Sequence, residues 1–164
     1  GLDVEKSRTS ARIATEKETQ RRKEVSTDQF IKWVGAVNKS KGKTIPYKLS
    51  SKSSVDQNGP MVTDTINKAL EFGDSRFNAP TILNDKGEPY TGKDLVNNIK
   101  KIAKQSDFQS AVLSTFEQIS LQYAEDGIVK DMDELLVEAT NKVMNNLPTK
   151  YKNKSRGFWA KKFN

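Results

Sequence analysis

SDFQSAVLSTFEQISLQYAEDGIVKDMDELLVEATNKVMNNLP, residues 106–148, is the stretch whose periodicity speaks most clearly about architecture. Phe108, Ala111, Val112, Phe116, Ile119 and Tyr123 recur at three- and four-residue spacing, and Met132, Leu135, Leu136, Ala139, Val143 and Leu147 do the same. That is the period of an amphipathic helix with one apolar face. Ser106 and Gln109 read as a capping box for the first helix, and Asp126-Gly127 as its stop. The second begins near Asp131, with Glu134 three residues on, and ends before Pro148. Thr91 and Asp94 form a weaker box ahead of Leu95, Ile99, Ile102 and Ala103, which predicts a third helix just upstream. Short connections make these three helices neighbours, because none of their apolar faces is stable in water.

Further upstream the pattern thins. APTILNDKGEPYTG, residues 79–92, predicts a short hairpin within 80–91, with extended pieces at 81–83 and 88–90 around the turn residues 84–87. Pro89 confines its second arm to an edge. A helix is expected over 63–72, presenting Val62, Ile66, Ala69 and Leu70 and stopped by Gly73. Residues 39–60, KSKGKTIPYKLSSKSSVDQNGP, are dense in lysine, serine, glycine and proline and read as a linker or mobile functional loop, with room for an edge strand at TIPYKL. Ser26-Thr27-Asp28 are N-cap residue types and predict the start of a short helix that buries Trp33 with Phe30, Ile31, Val34 and Val37, weakened by Gly35 and ended within 38–42. Residues 1–25 are helix formers with few apolar anchors, among them Val4, Ala11, Ile13 and Ala14, so a helix there is solvated or takes a partner. The expected fold is mainly α: a small bundle of about five to six helices with a three-helix C-terminal unit, a short β-hairpin at most, and basic terminal extensions. It divides into a charged helix or arm (1–25), a helical body (26–147) and a tail (148–164).

With 164 residues and 34% hydrophobic side chains the chain can bury one modest core. It has no cysteine and no histidine, which removes disulfides, thiolate metal sites, the commonest general base and the usual zinc ligand. No apolar run approaches the ~20 residues of a membrane span, and GLDVEKSRTS at the start lacks the apolar stretch of a secretory signal. The expectation is a chain without cofactor, not secreted by a signal peptide, residing in the cytoplasm or within a virion. Gly1 suits a chain matured from, or cut out of, a longer one.

The formal charge of +7 is unevenly placed. Residues 1–42 carry ten basic and six acidic side chains, 43–90 six of each, 91–147 six basic and nine acidic, and 148–164 six basic and no acid. The best-patterned segment is acidic and the ends are basic. In the tail, PTKYKNKSRGFWAKKFN, the bases Lys150, Lys152, Lys154, Arg156, Lys161 and Lys162 alternate with Tyr151, Phe158, Trp159 and Phe163. Lysine and arginine neutralise phosphates while aromatic faces stack on unpaired bases, each stack worth roughly 1–3 kcal/mol. Three readings of the tail stand side by side: nucleic-acid contact through the six bases with Tyr151 and Trp159 stacking, insertion into a partner protein or membrane surface, and docking of the rings on the body itself. Arg21, Arg22 and Lys23 are the candidate contacts at the other end, against the plainer alternative of a solvated helix face.

Sharper motifs fail on spacing. Gly42-Lys43-Thr44 ends like a phosphate loop, but the first glycine of that motif falls on Val37 and the preceding pattern is helical. DQNG at 56–59 and NDKG at 84–87 lack the glutamate that completes a calcium loop and read as turns. Asp131, Asp133, Glu134 and Glu138 fit a helix N-terminus, where the dipole favours acids. No catalytic set emerges. The leading expectation is a non-enzymatic nucleic-acid-associated protein that holds DNA or RNA backbone through basic ends. The alternative is a structural or adaptor component of a phage particle or mobile-element assembly, docking on other protein chains through its N-terminal helix and its tail. A histidine-free nuclease or toxin domain is the third class.

Overall fold

The computed structural model describes residues 2–73 and 76–147; within the first helix the side chains described are those of Lys17, Glu18, Gln20 and Arg21 and those from Glu24 onward. Five helices occur among these residues: α1 (Leu2–Lys39), α2 (Lys52–Phe72), α3 (Gly92–Ala103), α4 (Ser106–Glu125) and α5 (Met132–Asn145). The protein is a small, mainly α bundle in which α2 and α4 each touch all four other helices. None of these helices is long and apolar enough to cross a membrane.

The apolar rows of α4 and α5 follow their expected spacing except at Ala111, which is exposed; Leu113 and Met144, outside those rows, are buried with them. Phe108, Val112, Leu113 and Phe116 of α4 are fully buried, together with Leu135, Leu136, Ala139 and Met144 of α5. From α1, Phe30 meets Phe116 edge-on at 5.3 Å between ring centres, and Trp33 lies 5.6 Å from the same ring. Such pairs add about 0.5–1.5 kcal/mol beyond the burial of their area. Helix ends follow local chemistry. Gly73 caps α2 in the left-handed conformation, φ +62°, its N–H on the Ala69 carbonyl. After α4, Gly127 N–H reaches Ala124 O and Ile128 N–H reaches Tyr123 O, a two-bond stop that needs the positive φ of Gly127. The hairpin shrinks to one antiparallel bridge, Leu83 with Pro89, closed by an Asn84 side chain that accepts the N–H groups of Lys86 and Glu88.

Three expectations change. Helix α1 does not start at Ser26-Thr27-Asp28 but runs unbroken through them. Ser26 is buried, 1% exposed, and its hydroxyl donates to Asn58 Oδ1 on α2, so a residue type that favours caps here joins two helices. Helix α2 begins at Lys52, inside the expected loop, and takes in DQNG and Pro60. Its buried row is Val55, Gly59, Val62, Ile66 and Ala69, a helical period hidden because its first members are small. Pro60 is tolerated on the exposed face, where water can serve the Asp56 carbonyl that loses its N–H partner. Finally, the N-cap of α4 is Gln105 and not Ser106. Gln109 therefore makes no capping box; its amide donates to Thr63 Oγ1 and to the Ala103 carbonyl.

Candidate functional site

The two basic ends differ in how far they can be placed. All of the tail candidates, Lys150, Tyr151, Lys152, Lys154, Arg156, Trp159, Lys161 and Lys162, lie outside the described residues, and so do the side chains of Arg22 and Lys23. Arg21 is exposed on α1, and its guanidinium donates twice to Glu18, at 2.6 and 3.0 Å. The hydrogen bond and charge of Glu18 raise the Arg21 pKa above its ordinary value. A surface pair one helical turn apart is weak, because water and salt screen it, so a phosphate can compete for that arginine.

Helix α1 is about 57 Å long at 1.5 Å per residue. Its body-anchoring row is Ser26, Phe30, Trp33 and Val37, all buried. Ahead of it, the described side chains of Lys17, Gln20, Arg21, Glu24 and Val25 are exposed.

A cleft of about 910 Å³ is lined by residues of α1, α2 and α4, among them Gln20, Arg21, Ser26, Asp56, Thr63 and Gln109. Its charges are mixed. Asp64 on its α2 wall pairs with Lys68 at 3.1 Å. Elsewhere Tyr123 donates to Glu138 at 2.7 Å, while Lys130 donates to the Tyr123 oxygen and sits 4.5 Å from its ring centre. The hydrogen bond to Tyr123 raises the Lys130 pKa, with Glu138 and Glu134 acting in the same direction. This cluster fastens the α4–α5 connection to α5. Asp131 is the N-cap residue of α5 and Asp133 and Glu134 fall in its first turn, as the helix dipole favours. Among the described residues, no three acidic side chains gather as metal ligands would.

The segment between α1 and α2, part of the stretch read from sequence as a linker or mobile functional loop, is pinned to the body. Trp33 Nε1 donates to the Tyr47 carbonyl at 2.8 Å, and Tyr47 Oη donates back to the Gln29 carbonyl at 2.9 Å. Burial of part of the ring raises the Tyr47 pKa. Ser40 Oγ accepts the Thr44 N–H. Gly42, φ +73°, packs so closely on α4 that a Cβ there would stand 2.5 Å from the Leu121 carbonyl oxygen. The buried Glu117 carboxylate accepts the N–H groups of Leu49 and Ser50 at 3.2 and 3.3 Å. TIPYKL forms no strand. Lys41, Lys43 and Lys48 of this segment and Lys52 at the start of α2 are all exposed. Sequence reasoning left them out of the candidate site because it treated their neighbourhood as a connector.

No protein-family model, curated protein or solved structure matches this chain.

Proposed function

We propose that this is a non-enzymatic nucleic-acid-associated protein, a helical body that holds basic ends against phosphate backbone with little base specificity. The observation that carries the reading is the partition of charge. Residues 91–147, which supply α3 to α5, carry nine acids against six bases, whereas residues 148–164 carry six bases and no acid and residues 1–42 carry ten bases against six acids. An acidic body with basic ends directs a polyanion to the ends. Counterion release is the driving force, and stacking by Tyr151 and Trp159 adds to it on single strands. The test is a titration of the full chain with labelled DNA and RNA at several salt concentrations. Expected is a linear fall of log affinity with log salt; no binding at low salt, or binding indifferent to salt, ends the proposal.

A second reading, an assembly component that docks on other chains through α1 and the tail, is favoured by the exposure of Lys17, Gln20, Arg21, Glu24 and Val25 among the described side chains of α1. Mass measurement in solution combined with protease mapping separates the two. Ends that resist protease in the isolated monomer argue against docking elsewhere.

A further inference from the structure

Between Asp28 and Asp56 the chain contains six lysines, Lys32, Lys39, Lys41, Lys43, Lys48 and Lys52, and not one acidic residue. All six are exposed. Among the described residues none of them lies within ion-pair distance of a carboxylate, whereas the ion pairs that do form there include Glu18 with Arg21 and Asp64 with Lys68. A run of unpaired cations on a tethered surface repels itself and costs free energy unless a counter-charge arrives. The tethers matter because they fix where those cations stand: Gln29 and Trp33 of α1 and Glu117 and Leu121 of α4 hold the segment between the two helices. Binding an anion there requires little further ordering of the backbone, so less of the interaction is lost to conformational entropy.

Resting on the nucleic-acid reading, we propose that the α1–α2 segment, with Lys43, Lys48 and Lys52 as phosphate ligands and Tyr47 as a ring against which a base stacks, is a preformed single-strand-binding surface. Tyr47 is 41% exposed and Ile45 50% exposed, so the lysines are interleaved with apolar faces. A bilayer is the poorer partner for this arrangement. The Tyr47 ring is held along α1 by its hydroxyl on Gln29 and by its carbonyl on Trp33, whereas insertion among lipids calls for a side chain free to project beyond the lysines. Lys41 contributes less than the three named, since it borders a small hollow shared with Glu125 and Asp126 at the end of α4.

The experiment compares the full-length wild type with the triple variant Lys43→Gln, Lys48→Gln, Lys52→Gln, and with its charge-preserving counterpart Lys43→Arg, Lys48→Arg, Lys52→Arg. Binding of a labelled single strand of about 20 nucleotides is followed by anisotropy at roughly 0.05–0.2 M salt. Expected for the glutamine variant is an affinity lower by about 10–100-fold, a salt slope shallower by about 2, and a melting temperature within a few degrees of wild type; the arginine variant keeps its binding. If the wild type binds and the glutamine variant matches it in slope and affinity, the surface is not here, while the proposal about the ends stands. A wild type that binds no strand at low salt removes both. Should vesicles containing anionic lipid bind the wild type, lose the glutamine variant and outcompete the strand, the surface is a lipid-headgroup site and the single-strand proposal is overturned.

Discussion

Residues 40–51 and 52–60 are written in nearly the same alphabet of lysine, serine, glycine and proline, yet one is an irregular segment pinned to the body and the other is the first two turns of a helix. Composition alone separates them poorly; the positions of their anchors separate them well. In 52–60, Val55 and Gly59 fall on the row continued by Val62, Ile66 and Ala69, so helical pitch places small side chains where α2 meets α4. In 40–51 the anchors come at Gly42, Tyr47, Leu49 and Ser50, a spacing no single regular element provides, and they are held by Leu121, by Trp33 and Gln29, and by Glu117, which takes both Leu49 and Ser50. Low-complexity character therefore limits how much apolar area a segment buries without deciding whether it is ordered.

The strongest way to break this contrast is Gly42→Ala. A side chain there meets both the left-handed backbone and the Leu121 carbonyl oxygen, neither of which yields easily, and a loss of about 3 kcal/mol in denaturant unfolding is expected. A variant that keeps wild-type stability shows that the segment does not lie against α4 as described. Next in size is Glu117→Ala, which leaves the Leu49 and Ser50 N–H groups without their carboxylate acceptor and is expected to cost about 2–3 kcal/mol. Limited proteolysis sharpens that measurement: new cleavage concentrated in 40–51 is expected, and a uniform increase along the chain speaks against a local clamp. The smallest effect belongs to Gly59→Ala. The added methyl gains helix propensity of up to about 1 kcal/mol but displaces the Gln109 amide from Thr63 and Ala103, so the net change stays within about 1 kcal/mol. In a Gln109→Ala background the same substitution is expected to stabilise. An equal cost in both backgrounds refutes the account of that close approach.

What the sequence made legible was the part built from large side chains at regular spacing. Phe108, Val112 and Phe116, then Leu135, Leu136 and Ala139, declared α4 and α5, and Trp33 declared its own burial. Glycine at 73 and 127 marked helix ends because a left-handed residue is needed there whatever the rest of the chain does. Hidden were the features that depend on a distant partner. Ser26 looks like a cap until Asn58, on another helix, is seen to take its hydroxyl, and Gly59 looks like a loop residue until Gln109 of α4 covers it. The candidate site shows the same division. The bases of the tail announced themselves as a block, whereas the lysines from 32 to 52 were split by a charge boundary drawn at residue 42 and lost their excess to acids further along. A window running from one acidic residue to the next would have found them, although not the contacts that hold them in place.

The indole of Trp33 gives the molecule a built-in optical gauge. Of the two tryptophans in the chain, this one is fully enclosed and its nitrogen is bound to the carbonyl of Tyr47. With Trp159→Phe in place, emission reports on Trp33 alone. A ligand that grips the pinned segment then changes the spectrum, while one held only by the two ends leaves it dark to the event.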